Sequence, residues 1–137
     1  MGNNFKEPGQ LLWAEWGINL DEVSFDQLDH YIAVENYLMD DDDPPSDATD
    51  LQNVERYTKS LHHLCESKDW NRVQSILTVP ISINTTAVSF ALPLCDYLIF
   101  KGISPKVLEL TNEIINSFQD TGTDLRSIRI LKAKALV

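Results

Sequence analysis

The chain has 137 residues, with 21 Asp+Glu against 11 Lys+Arg and a formal charge of −10. This length suits one compact domain with its own core, and a hydrophobic fraction of 43% excludes wholesale disorder. The acid excess argues against general attraction to phosphate backbones or anionic lipid, so neither nucleic acid nor a membrane is an expected partner.

Two cysteines, Cys65 and Cys95, are too few for a disulfide scaffold. The opening residues lack the basic start and apolar run of a secretory signal. No apolar stretch approaches the ~18 residues of a membrane span. A cytoplasmic protein with reduced thiols is expected.

The charge is uneven along the chain. Met1–Asp47 holds 12 acids and one base, a net of −11, whereas Ala48–Val137 holds nine acids and ten bases, a net of +1. Residues 1–47 therefore read as an acidic N-terminal extension with one helix, and residues 48–137 as a helical-hairpin domain, the two together forming one compact unit.

In chain order, Met1–Gln10 has Gly, Pro and Asn without periodicity and reads as a tail. Leu11–Gly17 suits a short helical turn. Ser24-Phe25-Asp26-Gln27 has the form of a capping box, opening a helix that places Phe25, Leu28, Ile32, Glu35 and Leu38/Met39 at helical spacing. Asp40–Asp43 and the paired prolines Pro44 and Pro45 stop it. A second helix is predicted over Thr49–Ser67, with Leu51, Val54, Tyr57, Leu61, Leu64 and Cys65 as its stripe. Trp70–Leu77 follows as a third, with Val73, Ile76 and Leu77 inward.

Thr78–Thr86, with Pro80 and β-branched residues, reads as an extended loop or short strand. A fourth helix is predicted from near Thr86 to Lys101, with Pro93 either kinking it or marking its first turn. Ser104-Pro105 is a serine cap followed by proline at the first helical position. The helix it starts buries Val107, Leu108, Leu110, Ile114, Ile115 and Phe118. Asp124 caps a last helix bearing Leu125, Ile128, Leu131 and Leu136. No hairpin signal stands out, so the class is all-α, with about six helices in antiparallel hairpins or a small helical bundle.

A shift of 34 residues pairs Leu64 with Leu98, Val73 with Val107 and Ile76 with Leu110, and Lys68-Asp69-Trp70 with Val73 is similar to a Gly-Asp-Tyr turn followed by a small residue. On these residues the segment from about Asp50 to Val137 resembles a tetratricopeptide-like repeat (an α-solenoid fragment), as in helical segments of bacterial signalling NTPases. The resemblance implies a concave helical face that binds a peptide or protein.

Candidate sites are few. Asp40, Asp41, Asp42 and Asp43 lack the glycine and glutamate positions of a calcium loop and read as either a solvated linker or a docking patch for a basic partner. His62, His63, Cys65 and Glu66 are the one cluster of transition-metal ligands, but His30 and Cys95 lie on other elements and nothing in the spacing demands convergence, so no metal or cofactor is assigned. No nucleophile turn, phosphate loop or HExxH spacing accompanies the cysteines and histidines, and enzymatic activity is not expected. Trp13 and Trp16 share one face of a turn and either anchor a partner groove or pack on their own domain. Arg126, Arg129 and Lys132 lie among apolar residues on the last helix. That helix is expected to meet the acidic N-terminal third, a second copy of the chain, or a further helix. The function expected is a non-enzymatic protein-interaction module, an adaptor or regulatory subunit. The alternative is a small acidic inhibitor or nucleic-acid mimic that blocks a basic enzyme site.

Overall fold

The computed structural model describes residues 5–137. Eight helices and one antiparallel strand pair lie among them: α1 (Glu7–Trp16), α2 (Phe25–Met39), α3 (Asp50–Asn53), α4 (Glu55–Glu66), α5 (Trp70–Leu77), β1 (Pro80–Asn84), β2 (Ser89–Pro93), α6 (Leu94–Phe100), α7 (Ser104–Phe118) and α8 (Arg126–Ala135). No helix among the described residues is long and apolar enough to cross a membrane.

Helix α4 is the centre of the fold. Seven of its twelve residues are buried, including Tyr57, Leu61, Leu64 and Cys65, so it meets neighbours on most of its circumference. It packs against α2, α5 and α7, and α7 in turn packs against α6 and α8. The predicted second helix is divided at its start: Thr49 and Gln52 close a full capping box on α3, and Val54 leaves helical geometry before α4 begins.

The turn into α5 is tied by side chains. Lys68 adopts a left-handed φ of 58°, the conformation glycine takes at least cost. Its ammonium donates to the Ser117 carbonyl at 2.7 Å, near the end of α7. Asp69 accepts the Arg72 amide at 3.3 Å and the Tyr31 hydroxyl at 2.6 Å, joining α2 to the α4–α5 corner. Trp70 lies edge-on to Phe118 with centroids 5.1 Å apart.

Four expectations are corrected. Residues 5–10 are not a tail: Phe5 is buried and α1 begins at Glu7, while Met1–Asn4 lie outside the described residues. The Ser24 capping box does not form; Ser24 makes no side-chain cap bond, and Gln27 Oε1 is buried without a partner. Thr86–Pro93 is not helical. Ile81 and Ile83 alternate inward on β1, which pairs with β2 from Pro80↔Pro93 to Asn84↔Ser89. This period-two pattern and Pro93 favour strand over helix, and α6 starts only after Pro93. The fold is thus mostly helical with one hairpin, and a 34-residue shift places α5 on the first half of α7 but sets the start of α4 against β2. Ser104 is the first residue of α7, not its cap.

The N-terminal segment is part of the same core. Val34 and Leu38 of α2 are fully buried and Trp13 of α1 is 8% exposed. Tyr57 of α4 reaches across to the chain before and within α1: its hydroxyl donates to the Phe5 carbonyl and accepts the Gly9 amide at 3.0 Å. A Cβ at Gly9 would stand 3.1 Å from Tyr57 Cε1 and 3.2 Å from Leu38 Cδ2, so a side chain there would require both neighbours to give by a few tenths of an ångström.

Burial raises the Tyr57 hydroxyl from 10.0 to about 12, and the Cys95 thiol from 9.0 to about 12. Both groups stay protonated in the fold while the unfolded chain ionises them earlier. Their contribution is therefore complete below pH 9 and is lost as pH rises from about 9 towards 12. The urea midpoint should fall between pH 8 and pH 10.5. At pH 8 neither Cys65 nor Cys95, both buried, should react with a thiol reagent until denaturant is added; reaction of a thiol in the native protein would contradict this packing.

Candidate functional site

Two surfaces gather the candidate groups: the outer face of α2 with the acidic turn after it, and the α4–α7 groove where the histidines lie.

Helix α2 carries two apolar stripes, and the core takes the one built on Tyr31, Val34 and Leu38. Of the residues at helical spacing, Leu38 is in the core, Leu28 and Glu35 are half-buried, and three stand outside. Phe25 is 91% exposed, Ile32 38% and Met39 42%, and their seven-residue spacing holds them on one face. Asp26 and Asp29 are exposed beside them, and no Lys or Arg lies between Lys6 and Arg56. The outer face of α2 is thus an apolar stripe within an acidic surface.

Asp40–Asp43 extends that surface, and its backbone is held in place. The Arg56 guanidinium donates to the carbonyls of Asp40 and Asp42, each at 3.0 Å. Lys6 donates to the Asp41 carbonyl at 2.9 Å and sits 3.8 Å from the Asp43 carboxylate. The turn is pinned through its main chain while all four aspartates remain exposed.

Trp13 is in the core and Trp16 is half-buried, their centroids 6.3 Å apart in an edge-on arrangement with the Arg72 guanidinium 5.6 Å from the Trp16 ring. The pair packs on its own fold, and Trp13 is withdrawn from solvent. On α8, Arg126 and Arg129 are exposed and Lys132 is half-buried. Arg126 pairs with Asp124 at 2.7 Å, which holds that exposed carboxyl at about 2. The helix packs on α7, and Lys134 lies 3.7 Å from Asp96. Among the described residues the ion pairs of α8 are with Asp124 and Asp96, neither in the acidic third, and Ile130 and Leu136 remain exposed.

All three histidines of the chain converge. His30 of α2 and His63 of α4 meet Nδ1 to Nδ1 at 3.0 Å, so one ring carries the proton and the other accepts it. Burial, then the neighbouring His62 and His30 rings, hold His63 below its ordinary value. Tyr37 stacks on His63 with centroids 6.1 Å apart. His62, one residue earlier and turned outward, places Nδ1 2.6 Å from Glu113 Oε2 on α7. The surrounding groove, about 690 Å³, is lined by residues that include Lys59, His63, Lys106 and Glu113.

Cys65, grouped with these histidines by sequence, faces the core, and burial raises its thiol to about 12. The two residues that complete the cluster, His30 and Glu113, were not joined to it by sequence. Their separations of 33 and 51 residues from their partners leave no local signal. No family model, curated protein or solved structure matches this chain.

Proposed function

We propose that this protein is a non-enzymatic interaction module that receives a basic amphipathic helix of a protein partner on the outer face of α2. One observation carries the reading: Phe25, Ile32 and Met39 stand exposed at heptad spacing within a segment that has no Lys or Arg from residue 7 to residue 55. A helix laid along α2 buries what remains exposed of the three side chains, about 1.5–3 kcal/mol for Phe25 and less than half of that for each of Ile32 and Met39. Asp26, Asp29 and the exposed Asp40–Asp43 turn steer and orient lysines or arginines flanking its apolar stripe. The antiparallel pairing of α4 with α5 and of α6 with α7, tetratricopeptide-like in this reading, is the scaffold that presents α2.

The apolar stripe favours helix recognition over the rival reading of an acidic mimic, because a mimic works through charge alone. The probe is a synthetic amphipathic helix of leucines and lysines, titrated at physiological salt. Phe25→Ser with Ile32→Ser leaves the net charge unchanged and should weaken binding by at least about tenfold. Equal binding by this double variant, with binding lost only as salt rises, overturns the proposal in favour of the charge-only mimic. Helix α8 has the same basic and apolar character, so sedimentation of the free chain is measured beside the titration. Self-association abolished by the same double variant would replace the foreign helix with a second copy.

A further inference from the structure

We propose that His62, Glu66 and Glu113 form a site for one zinc-like divalent cation that ties α4 to α7. It is separate from the face on α2 and does not depend on that reading. The three side chains offer ligand atoms that all lie within 4.8 Å of one another. Two of them, His62 and Glu66, stand one turn apart on the same face of α4, the spacing that lets an imidazole and a carboxylate meet one ion. The third reaches over from α7, where it packs on α4.

His62 Nδ1 and Glu113 Oε2 are hydrogen-bonded at 2.6 Å, and a cation takes the place of the proton between them. With ligand distances of about 2.0–2.2 Å, tetrahedral ligands stand about 3.4 Å apart, so the pair has to open by less than about 1 Å. Both α4 ligands are exposed and Glu113 is half-buried, which leaves the side chains room to move and an approach from water. Neighbouring lysines are engaged elsewhere: Lys68 by the Ser117 carbonyl at 2.7 Å and Lys106 by Glu109 at 3.0 Å.

The donor set selects the ion. One imidazole nitrogen with two carboxylates suits zinc and its transition-metal neighbours, with water completing the shell. Calcium takes six to eight oxygens and magnesium a near-ideal oxygen octahedron, neither of which this set supplies. Because the ligands come from two helices, the bound ion stabilises the folded chain by mass action.

The test is a titration of the purified full chain with Zn²⁺, followed by calorimetry and by thermal unfolding. The expected result is saturable binding of one ion per chain, a Tm that rises with Zn²⁺ and returns on chelation, and no rise with the same concentration of Mg²⁺. His62→Gln, Glu66→Gln and Glu113→Gln should each weaken binding by at least about tenfold, with circular dichroism of the metal-free variants showing that they fold. A His30→Gln, His63→Gln variant should bind as the parent does. Non-saturable or multi-site binding, binding that survives His62→Gln with Glu113→Gln, or binding lost with His30→Gln and His63→Gln would each overturn the assignment.

Discussion

Deleting residues 1–47 is expected to abolish cooperative unfolding, rather than to release an independent helical domain. The deletion removes Phe5, Trp13, Val34 and Leu38, all buried in the common core. At about 1.5–3 kcal/mol for each buried side chain the loss is about 6–12 kcal/mol, which equals the whole stability of a typical domain at about 5–15 kcal/mol. The deletion also exposes Val54, Tyr57 and Leu61 of α4 to water and leaves Asp69 without the Tyr31 hydroxyl. A thermal melt followed by circular dichroism checks this. A sigmoidal transition within about 5 °C of the full chain, a shift worth only 1–2 kcal/mol at this size, would show that residues 48–137 fold alone.

The second large effect is expected at Tyr57. Its hydroxyl satisfies the Gly9 amide and the Phe5 carbonyl together, at a fully buried position. Tyr57→Phe keeps the ring and leaves both backbone groups unpaired, a loss of about 1–3 kcal/mol for each that stays dry. The melting temperature should fall by roughly 10 °C. Tyr57→Ala adds a cavity worth about 3–5 kcal/mol and should leave the chain largely unfolded at 37 °C. If Tyr57→Phe melts with the parent, the hydroxyl bridge does not hold α1 to α4.

The behaviour of α2 shows what pattern reading can and cannot resolve. Helical periodicity identifies the element, and its observed span matches the predicted one closely. Two stripes satisfy that periodicity, however, and the spacing that joins Phe25, Ile32 and Leu38/Met39 leaves the choice between Leu38 and Met39 open. The core takes Val34 and Leu38 because the same rotation brings Tyr31 to Asp69 and His30 to His63. These bonds join residues 38 and 33 positions apart, beyond any local window. Phe25, Ile32 and Met39 are left on the solvent side of the helix.

The hairpin escapes local pattern for a related reason. Residues 86–93 carry enough apolar side chains to suit either element, and their strand state depends on pairing with Ile81 and Ile83 on β1. By contrast α5 and the part of the stripe from Tyr57 to Cys65 are legible in the sequence, since a tight turn and a helical period are local signals.

The sequence by itself determined the mostly helical class, the spans of α2, α5 and α7 to within a few residues, and the concentration of acid in the first third. Those depend on neighbours within one or two turns. Only the tertiary structure decided which side of α2 is free, that the acidic turn is pinned by Arg56, and that His62 and Glu66 meet Glu113 from a helix about fifty residues later. Such meetings are set by how α4 seats against α2 and α7, and packing of that kind leaves no period in the chain.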